Sequence, residues 1–181
     1  MVEEARFENL PQGKRPQGDG WFIVNARETA WFRNEKFGAF CAFEGDMRFR
    51  DFGINLHVLQ PGKPACHYHS ESEQEGFLVL AGECLVVIEG QERKLRAWDY
   101  VHCPKDTRHV FVGAGDGPCM VLMVGSRDPE TKLHYPVDEL AQKHDASSPV
   151  DTQNPAESYA GQPRSQPMAR PADGLDALFD R

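Results

Sequence analysis

Two histidines separated by a single residue are the first feature of this sequence with the chemistry of a metal site. His67 and His69 stand in the stretch CHYHSESEQEGFLVLAG, where glutamates precede the apolar run FLVL. Residues i and i+2 of a strand project from one face, about 6.7 Å apart at Cα, so two imidazoles can reach one ion at about 2.0–2.1 Å each. A carboxylate beside a buried strand is costly unless it is paired or metal-bound. Because a third histidine, His109, begins another apolar strand, the pattern indicates a candidate metal site.

The elements that would carry these side chains are short apolar segments that start at Trp21. Segments such as FGINLHVLQ, CLVVIEG and HVFVGAG are rich in Val, Leu, Ile and Phe and are separated by Gly, Pro or Asp. One of them reads as a hairpin that turns at Glu89–Gln91. About eight such strands without helical periodicity between them predict an all-β fold of the sandwich, jelly-roll or small-barrel type.

The composition divides the chain into three parts. Residues 1–20 are polar and predict an N-terminal arm, and residues 21–127 contain the predicted barrel. Residues 128–181 form a C-terminal extension in which YPVDELAQKH predicts a short helix. The rest of the extension has the composition of a disordered segment, or of one that lies along the barrel or a partner subunit.

Charge and cysteine usage exclude several classes of function. The net charge of −8, with scattered arginines, argues against nucleic acid and anionic membranes as partners. We find neither a secretory signal nor an apolar run of about 18 residues, and five cysteines without a C-x-x-C pair indicate reduced thiols, which predicts a cytoplasmic protein. A chain of 181 residues can build a stable core unaided, so a bound metal would serve chemistry rather than folding.

Two stretches resemble the paired motifs of the cupins. The first cupin motif, G-x5-H-x-H-x3–4-E-x6-G, is similar to PGKPACHYHSESEQEGFLVLAG at residues 61–82. The second, G-x5-P-x-G-x2-H-x3-N, is similar to WDYVHCPKDTRHVFVG at residues 98–113. The resemblance covers roughly residues 53–125 and implies a double-stranded β-helix, the jelly-roll barrel of cupins. It also implies one divalent metal held by three histidines and one glutamate, with His67, His69 and His109 as ligands.

The departures from the motifs concern glycine positions and the carboxylate ligand. Trp98, Asp106 and Gly113 stand where the second motif has Gly, Gly and Asn, and Asp tolerates a left-handed turn better than most residues. Four residues between the second histidine and the glutamate, counted from His69, select Gln74 as the fourth ligand. Six residues between the glutamate and the last glycine, counted back from Gly82, select Glu75. Because SESE reads as a turn that absorbs an insertion, we favour Glu75 and keep Gln74 as the alternative.

Other polar residues near the motifs have simpler interpretations. Glu71 and Glu73 are expected to be solvated turn charges, and His57 and His102 to be hydrogen-bonded barrel residues rather than ligands. The resemblance identifies no catalytic residue beyond the metal ligands.

The implied site predicts a metal-dependent enzyme of the dioxygenase type that acts on a small molecule. Imidazole and carboxylate ligands suit Fe, Mn, Ni, Co or Zn, and three histidines with one glutamate leave positions open for substrate or O₂. The alternatives are a non-catalytic cupin that binds a metabolite or sugar, and a cupin isomerase, because the fold hosts many reactions. Small cupins commonly form homodimers, so a homodimer is expected here.

Overall fold

The computed structural model of the chain describes residues 1–169, so the last part of the predicted extension, residues 170–181, lies outside the described residues. The described elements are fourteen short strands and two helices of one turn each. The strands are β1 (Arg6–Leu10), β2 (Gly13–Gln17), β3 (Trp31–Asn34), β4 (Gly38–Ala42), β5 (Phe52–Leu59), β6 (Ser70–Glu71), β7 (Glu75–Ala81), β8 (Glu83–Ile88), β9 (Gln91–Arg96), β10 (Tyr100–Cys103), β11 (His109–Ala114), β12 (Cys119–Ser126), β13 (Leu133–His134) and β14 (Gln166–Met168). The helices are α1 (Glu139–Gln142) and α2 (Pro155–Ser158).

Two antiparallel sheets form the barrel. The larger has seven strands in the order β10-β7-β12-β5-β4-β3-β14, and the smaller has three in the order β11-β8-β9. Their inner faces meet in one apolar core, to which the larger sheet contributes Val79 and Val121 and the smaller sheet Val86 and Phe111. The strand pattern and this topology confirm the all-β, double-stranded β-helix predicted from the sequence.

The outer face of the larger sheet has its own covered region. Trp31 is fully buried there against Leu56, Val58 and Met120, and its indole N–H donates to the carbonyl of Ala26. This second cluster anchors the segment between β2 and β4 to the sheet. The inner face of β4 and β5 is therefore held in place next to the barrel interior.

Two residues that replace motif glycines keep the backbone conformation that glycine favours. Trp98 has φ of 76° and Asp106 has φ of 65°, in the left-handed region that non-glycine residues seldom adopt. Gly113 meets a different constraint, since a Cβ there would lie 2.2 Å from the carbonyl oxygen of Gln60. The predicted hairpin is confirmed as well, with Glu89 and Gly90 at positive φ between β8 and β9.

The segments on either side of the barrel are ordered against it. Residues 6–17 pair as the hairpin β1–β2, and the predicted short helix corresponds to α1, which Asp138 caps by accepting from the amide of Ala141. The extension then returns to the larger sheet, where β14 pairs with β3 and Asn34 donates to the carbonyl of Pro163. Within residues 1–169, no helix has the length and apolar character needed to cross a membrane.

Candidate metal centre

Two histidines and one glutamate converge at one end of the barrel interior. His69 precedes β6, Glu75 begins β7 and His109 begins β11, and one ligand atom from each lies within 4.8 Å of the others. The backbones of His69 and His109 form a bridge of two hydrogen bonds, with distances between nitrogen and oxygen of 3.2 and 2.8 Å. The Nε2 atom of His109 lies 3.5 Å from Oε2 of Glu75. The group can hold a metal ion.

The hydrogen bonds of the His69 and His109 imidazoles determine which ring nitrogen is available to bind a metal ion. The Nδ1 atom of His69 lies 2.8 Å from the carbonyl oxygen of His67, and that of His109 lies 3.0 Å from the carbonyl oxygen of Thr107. A carbonyl can only accept, so in each ring Nδ1 carries the proton and the neutral ring presents the lone pair of Nε2. Backbone partners of this kind commonly orient metal-binding histidines. The donor set therefore fits a metal ion.

The charges in this group favour a cation. Burial lowers the pKa of His109 to about 4, so its ring is uncharged at neutral pH. Burial first, and then the negative charge of Glu71, raise the pKa of Glu75 to about 7. At His69, burial opposes a raised pKa, but Cys66 and Glu71 outweigh it and hold the pKa well above its usual range. A bound cation would displace the proton from His69 and would favour the ionised form of Glu75.

Glu71 lies at this site and is not the solvated turn charge expected from the sequence. Its Oε1 atom is 3.7 Å from Nε2 of His69, and its side chain is 25% exposed. Burial acts to raise the pKa of Glu71, but the nearby imidazole of His69 and its charge outweigh burial and lower that pKa. A signal for this placement was present in the sequence, because Glu71 follows His69 by two residues and alternation puts both on one face.

The structure places His67 apart from the other three predicted ligands. Residues 66–68 form a bend and not a strand, so the alternation that would align His67 with His69 does not apply. The Nδ1 atom of His67 lies 2.9 Å from Oγ of Ser158, and its ring stacks on Tyr159 at a centroid distance of 4.5 Å. Its role as a fourth ligand stays a prediction.

Gln74, the alternative fourth ligand, is exposed and lies in a groove with Tyr100 and Leu122 on the outer face of the larger sheet. The next residue, Glu75, has a side chain only 13% exposed and reaches the two histidines. The structure therefore brings Glu75 to the cluster.

The cluster opens into a cavity of about 300 Å³, which we name the inner chamber. Its walls include Phe77 and Phe111 from the barrel core and His57 from β5. Burial lowers the pKa of His57 to about 4, and the ring stacks on Phe40 at 5.5 Å. His57 thus contributes an uncharged ring to the wall. His102, in contrast, lies exposed on β10.

Sequence reasoning missed two tyrosines that complete the surroundings of the histidines. Tyr135 stacks on His69 at 5.4 Å, and Tyr159 stacks on His67. Both belong to the C-terminal extension, and no short spacing in the sequence connects them with the motif histidines.

The comparison with protein families agrees with this architecture. Residues 55–125 match the family model of the cupin domain. Among solved structures, the chain is similar to a putative sugar phosphate isomerase from Acidithiobacillus ferrooxidans, with 26% identity over 51% of this chain and 58% of that one, at a TM-score of 0.45. It is also similar to a sugar phosphate isomerase of the cupin superfamily from Silicibacter pomeroyi, with 28% identity over 54% and 64% of the two chains and a TM-score of 0.48.

A DMSP lyase from Ruegeria pomeroyi shares 21% identity over 71% of this chain and 59% of that one, at a TM-score of 0.45. The chain thus spans less than two thirds of the length of each of these three structures. No curated protein matches the chain.

Proposed function

Because the chain belongs to the cupin superfamily through the cupin domain of residues 55–125, we propose that it is a metal-dependent enzyme of the dioxygenase type that acts on a small molecule. The observation that carries the proposal is the convergence of His69, Glu75 and His109 at the inner chamber. Two histidines and one carboxylate with open positions form the donor set typical of non-haem Fe(II) oxygenases. Fe(II) is therefore the first ion to test, followed by Mn, Ni, Co and Zn.

Each of the three residues has a defined task in this proposal. His69 and His109 present Nε2 because their Nδ1 atoms donate to backbone carbonyls, and Glu75 supplies the negative charge. When bound, a divalent ion supplies Lewis acidity and, if it is redox-active, the electrons for O₂ chemistry. Glu71, whose pKa is lowered, is an ionised carboxylate at the edge of the group and can accept a proton from a substrate hydroxyl.

The aromatic side chains around the group restrict water. Phe77 lies 4.9 Å from the ring of His109, and Tyr135 covers one face of His69. Both Phe77 and Tyr135 are almost fully buried. A substrate that enters the inner chamber therefore meets few solvent molecules next to the ligands, which strengthens electrostatic interactions there.

Metal analysis and O₂ uptake test the proposed activity. Protein purified without chelator should hold one divalent ion per chain and should consume O₂ with one member of a panel of catechols, thiols and β-dicarbonyls. The Glu75→Gln variant should lose this uptake, while Glu73→Gln should keep it. Protein that carries no metal and takes none up contradicts the enzyme proposal. Metal without O₂ uptake supports the alternative of a binding protein, and turnover that needs no O₂ supports an isomerase.

We propose in addition that the chain forms a homodimer and is cytoplasmic. Trp21 is 51% exposed and Ile23 is 83% exposed in the N-terminal segment, and such apolar side chains are common at subunit contacts. All five cysteines are free, as in proteins of reducing compartments. Sedimentation velocity at micromolar concentration should give twice the mass of the 20.4 kDa chain, and a monomer would contradict the dimer.

A further inference from the structure

A second cavity of about 710 Å³ lies beside the inner chamber, and we name it the side chamber. Its floor is the inner face of β4 and β5, and its roof is the returning segment of residues 156–165. The two chambers share five wall residues, which are Asn55, His57, Ala65, Cys66 and Arg127. A molecule in the side chamber can therefore extend to the candidate metal centre.

The walls of the side chamber are suited to a flat ring. Phe40 and His57 present stacked rings with an interplanar angle of 18°, and Phe37 meets Tyr159 edge-on at 5.5 Å. Small residues such as Ala42 and Ala160 leave space between these rings. Aromatic side chains prefer offset-stacked or edge-on partners, which a planar ligand provides.

The charged groups of the inner wall already have partners. Arg127 binds both carboxylate oxygens of Glu44, one of them through Nη2 at 2.9 Å, and donates to the carbonyl of Phe49. Because His57 is uncharged at neutral pH and Arg127 is paired with Glu44, neither residue adds an unpaired charge to the wall between the two chambers. Arg164 stands at the rim and is exposed. An uncharged ligand suits this wall, since a buried charge needs a partner.

Two polar atoms of the shared wall have no hydrogen-bond partner in the described part of the chain. They are Oδ1 of Asn55 and Nδ1 of His57, and both are enclosed. A buried polar atom without a partner costs about 1–3 kcal/mol. Asn55 and His57 are two residues apart on β5, so their side chains point to the same face. A ligand that bears hydrogen-bonding groups can therefore satisfy both atoms after small rotations of the two side chains.

We propose that the side chamber binds an uncharged planar ring compound that carries a hydrogen-bonding substituent, held by Asn55, His57 and the surrounding aromatic rings. In a substrate, this ring would be the part that lies away from the metal, and that further step rests on the proposed function. The binding itself does not, because the floor and roof of the side chamber contain none of the proposed metal ligands.

Titration with benzamide tests the proposal on both metal-depleted and metal-loaded protein, by calorimetry or ligand-observed NMR. The wild-type chain should bind benzamide saturably in both states. Ala42 pairs with Asn55 across β4 and β5, so Ala42→Phe should fill the chamber and weaken binding at least tenfold. Ala160→Phe fills it from the exposed roof and serves if the first variant does not fold. The matched control is Ala114→Phe at the end of β11, which should bind as the wild type does.

The possible outcomes separate this proposal from the proposed function. Benzamide binding that the filling variants weaken at least tenfold, in protein without metal, supports the side chamber even if no enzyme activity exists. Absence of saturable binding by the wild type overturns the proposal, as does equal binding by wild type and Ala160→Phe. Tighter binding of benzoate than of benzamide contradicts the uncharged class and would indicate recognition by Arg164.

Discussion

Glu75→Gln is expected to lose the bound metal, with an affinity for divalent ions at least about 100-fold lower than that of the wild type. The amide keeps the shape of the side chain but removes its negative charge. Because the two imidazoles bind a cation as neutral rings, that charge is the main electrostatic attraction for the ion. Loss of a residue that only orients a ligand commonly costs 10–100-fold in metal affinity, so loss of a ligand should cost more. Elemental analysis of purified protein and competition titration with Zn²⁺ against a chromophoric chelator measure this change.

Matched variants on the same stretch make the result specific. His69→Ala should match Glu75→Gln, whereas Glu73→Gln should retain the metal, because Glu73 lies next to Lys105 at 3.8 Å and not in the cluster. Glu71→Gln should weaken binding less than Glu75→Gln does. Equal metal retention by Glu75→Gln and the wild type would contradict the proposed centre.

The same measurement on His67→Ala tests the fourth ligand predicted from the sequence. A loss of metal as large as that of His69→Ala would support ligation by His67, which requires its ring to leave Ser158. Retention of the metal would show that three residues suffice.

Tyr159→Ala is expected to release the roof of the side chamber, with amide exchange of residues 157–168 faster by about 100-fold. The ring contacts three aromatic neighbours, and the hydroxyl accepts from the backbone N–H of His67 at 3.0 Å. Aromatic pairs contribute about 0.5–1.5 kcal/mol each and the hydrogen bond about 1 kcal/mol. A loss of about 3 kcal/mol corresponds to about 100-fold in local opening. Hydrogen–deuterium exchange with mass spectrometry reports it.

Tyr159→Phe is the conservative partner of this variant. It removes only the hydroxyl, so exchange of the same amides should rise by less than about tenfold. Tyr100→Ala, at a tyrosine that is 63% exposed on β10, should leave these amides unchanged. If Tyr159→Ala exchanged no faster than Tyr159→Phe, the stacked ring would have no part in holding the roof.

Much of the barrel was predictable because its determinants are local. The turn at Glu89 and Gly90 follows from a glycine, which accepts positive φ, just after the apolar strand CLVVI, and the structure has that hairpin. Counting back from Gly82 selects Glu75, although the register of β7 with β12 shifts between Ala81 and Val79. From Val79 back to Glu75 the strand alternates regularly, which places Glu75 on the same face as Phe77 and Val79 of the barrel core. The motif positions of Trp98 and Asp106 keep positive φ although their residue types differ from glycine.

The same rule failed where the chain is not a strand. Alternation places His67 and His69 on one face only if residues 67–69 are extended, and the bend at residues 66–68 turns His67 towards Ser158, 91 positions later in the chain. Glu71 was taken for a solvated charge because the polar run SESE resembles a turn. The pairing of β6 with β13 instead makes Ser70 and Glu71 part of a strand.

The amino-acid sequence by itself determined the all-β fold, the positions of the two motifs and the residue types available to bind a metal. These properties depend on spacing and on strand periodicity, which are local. Only the tertiary structure decided which imidazoles lie close to Glu75 and that Glu71 lies beside them. It also decided that a second chamber lies beneath residues 156–165. The physical reason is that these features arise from contacts between segments tens of residues apart, whose geometry the packing of the whole barrel sets.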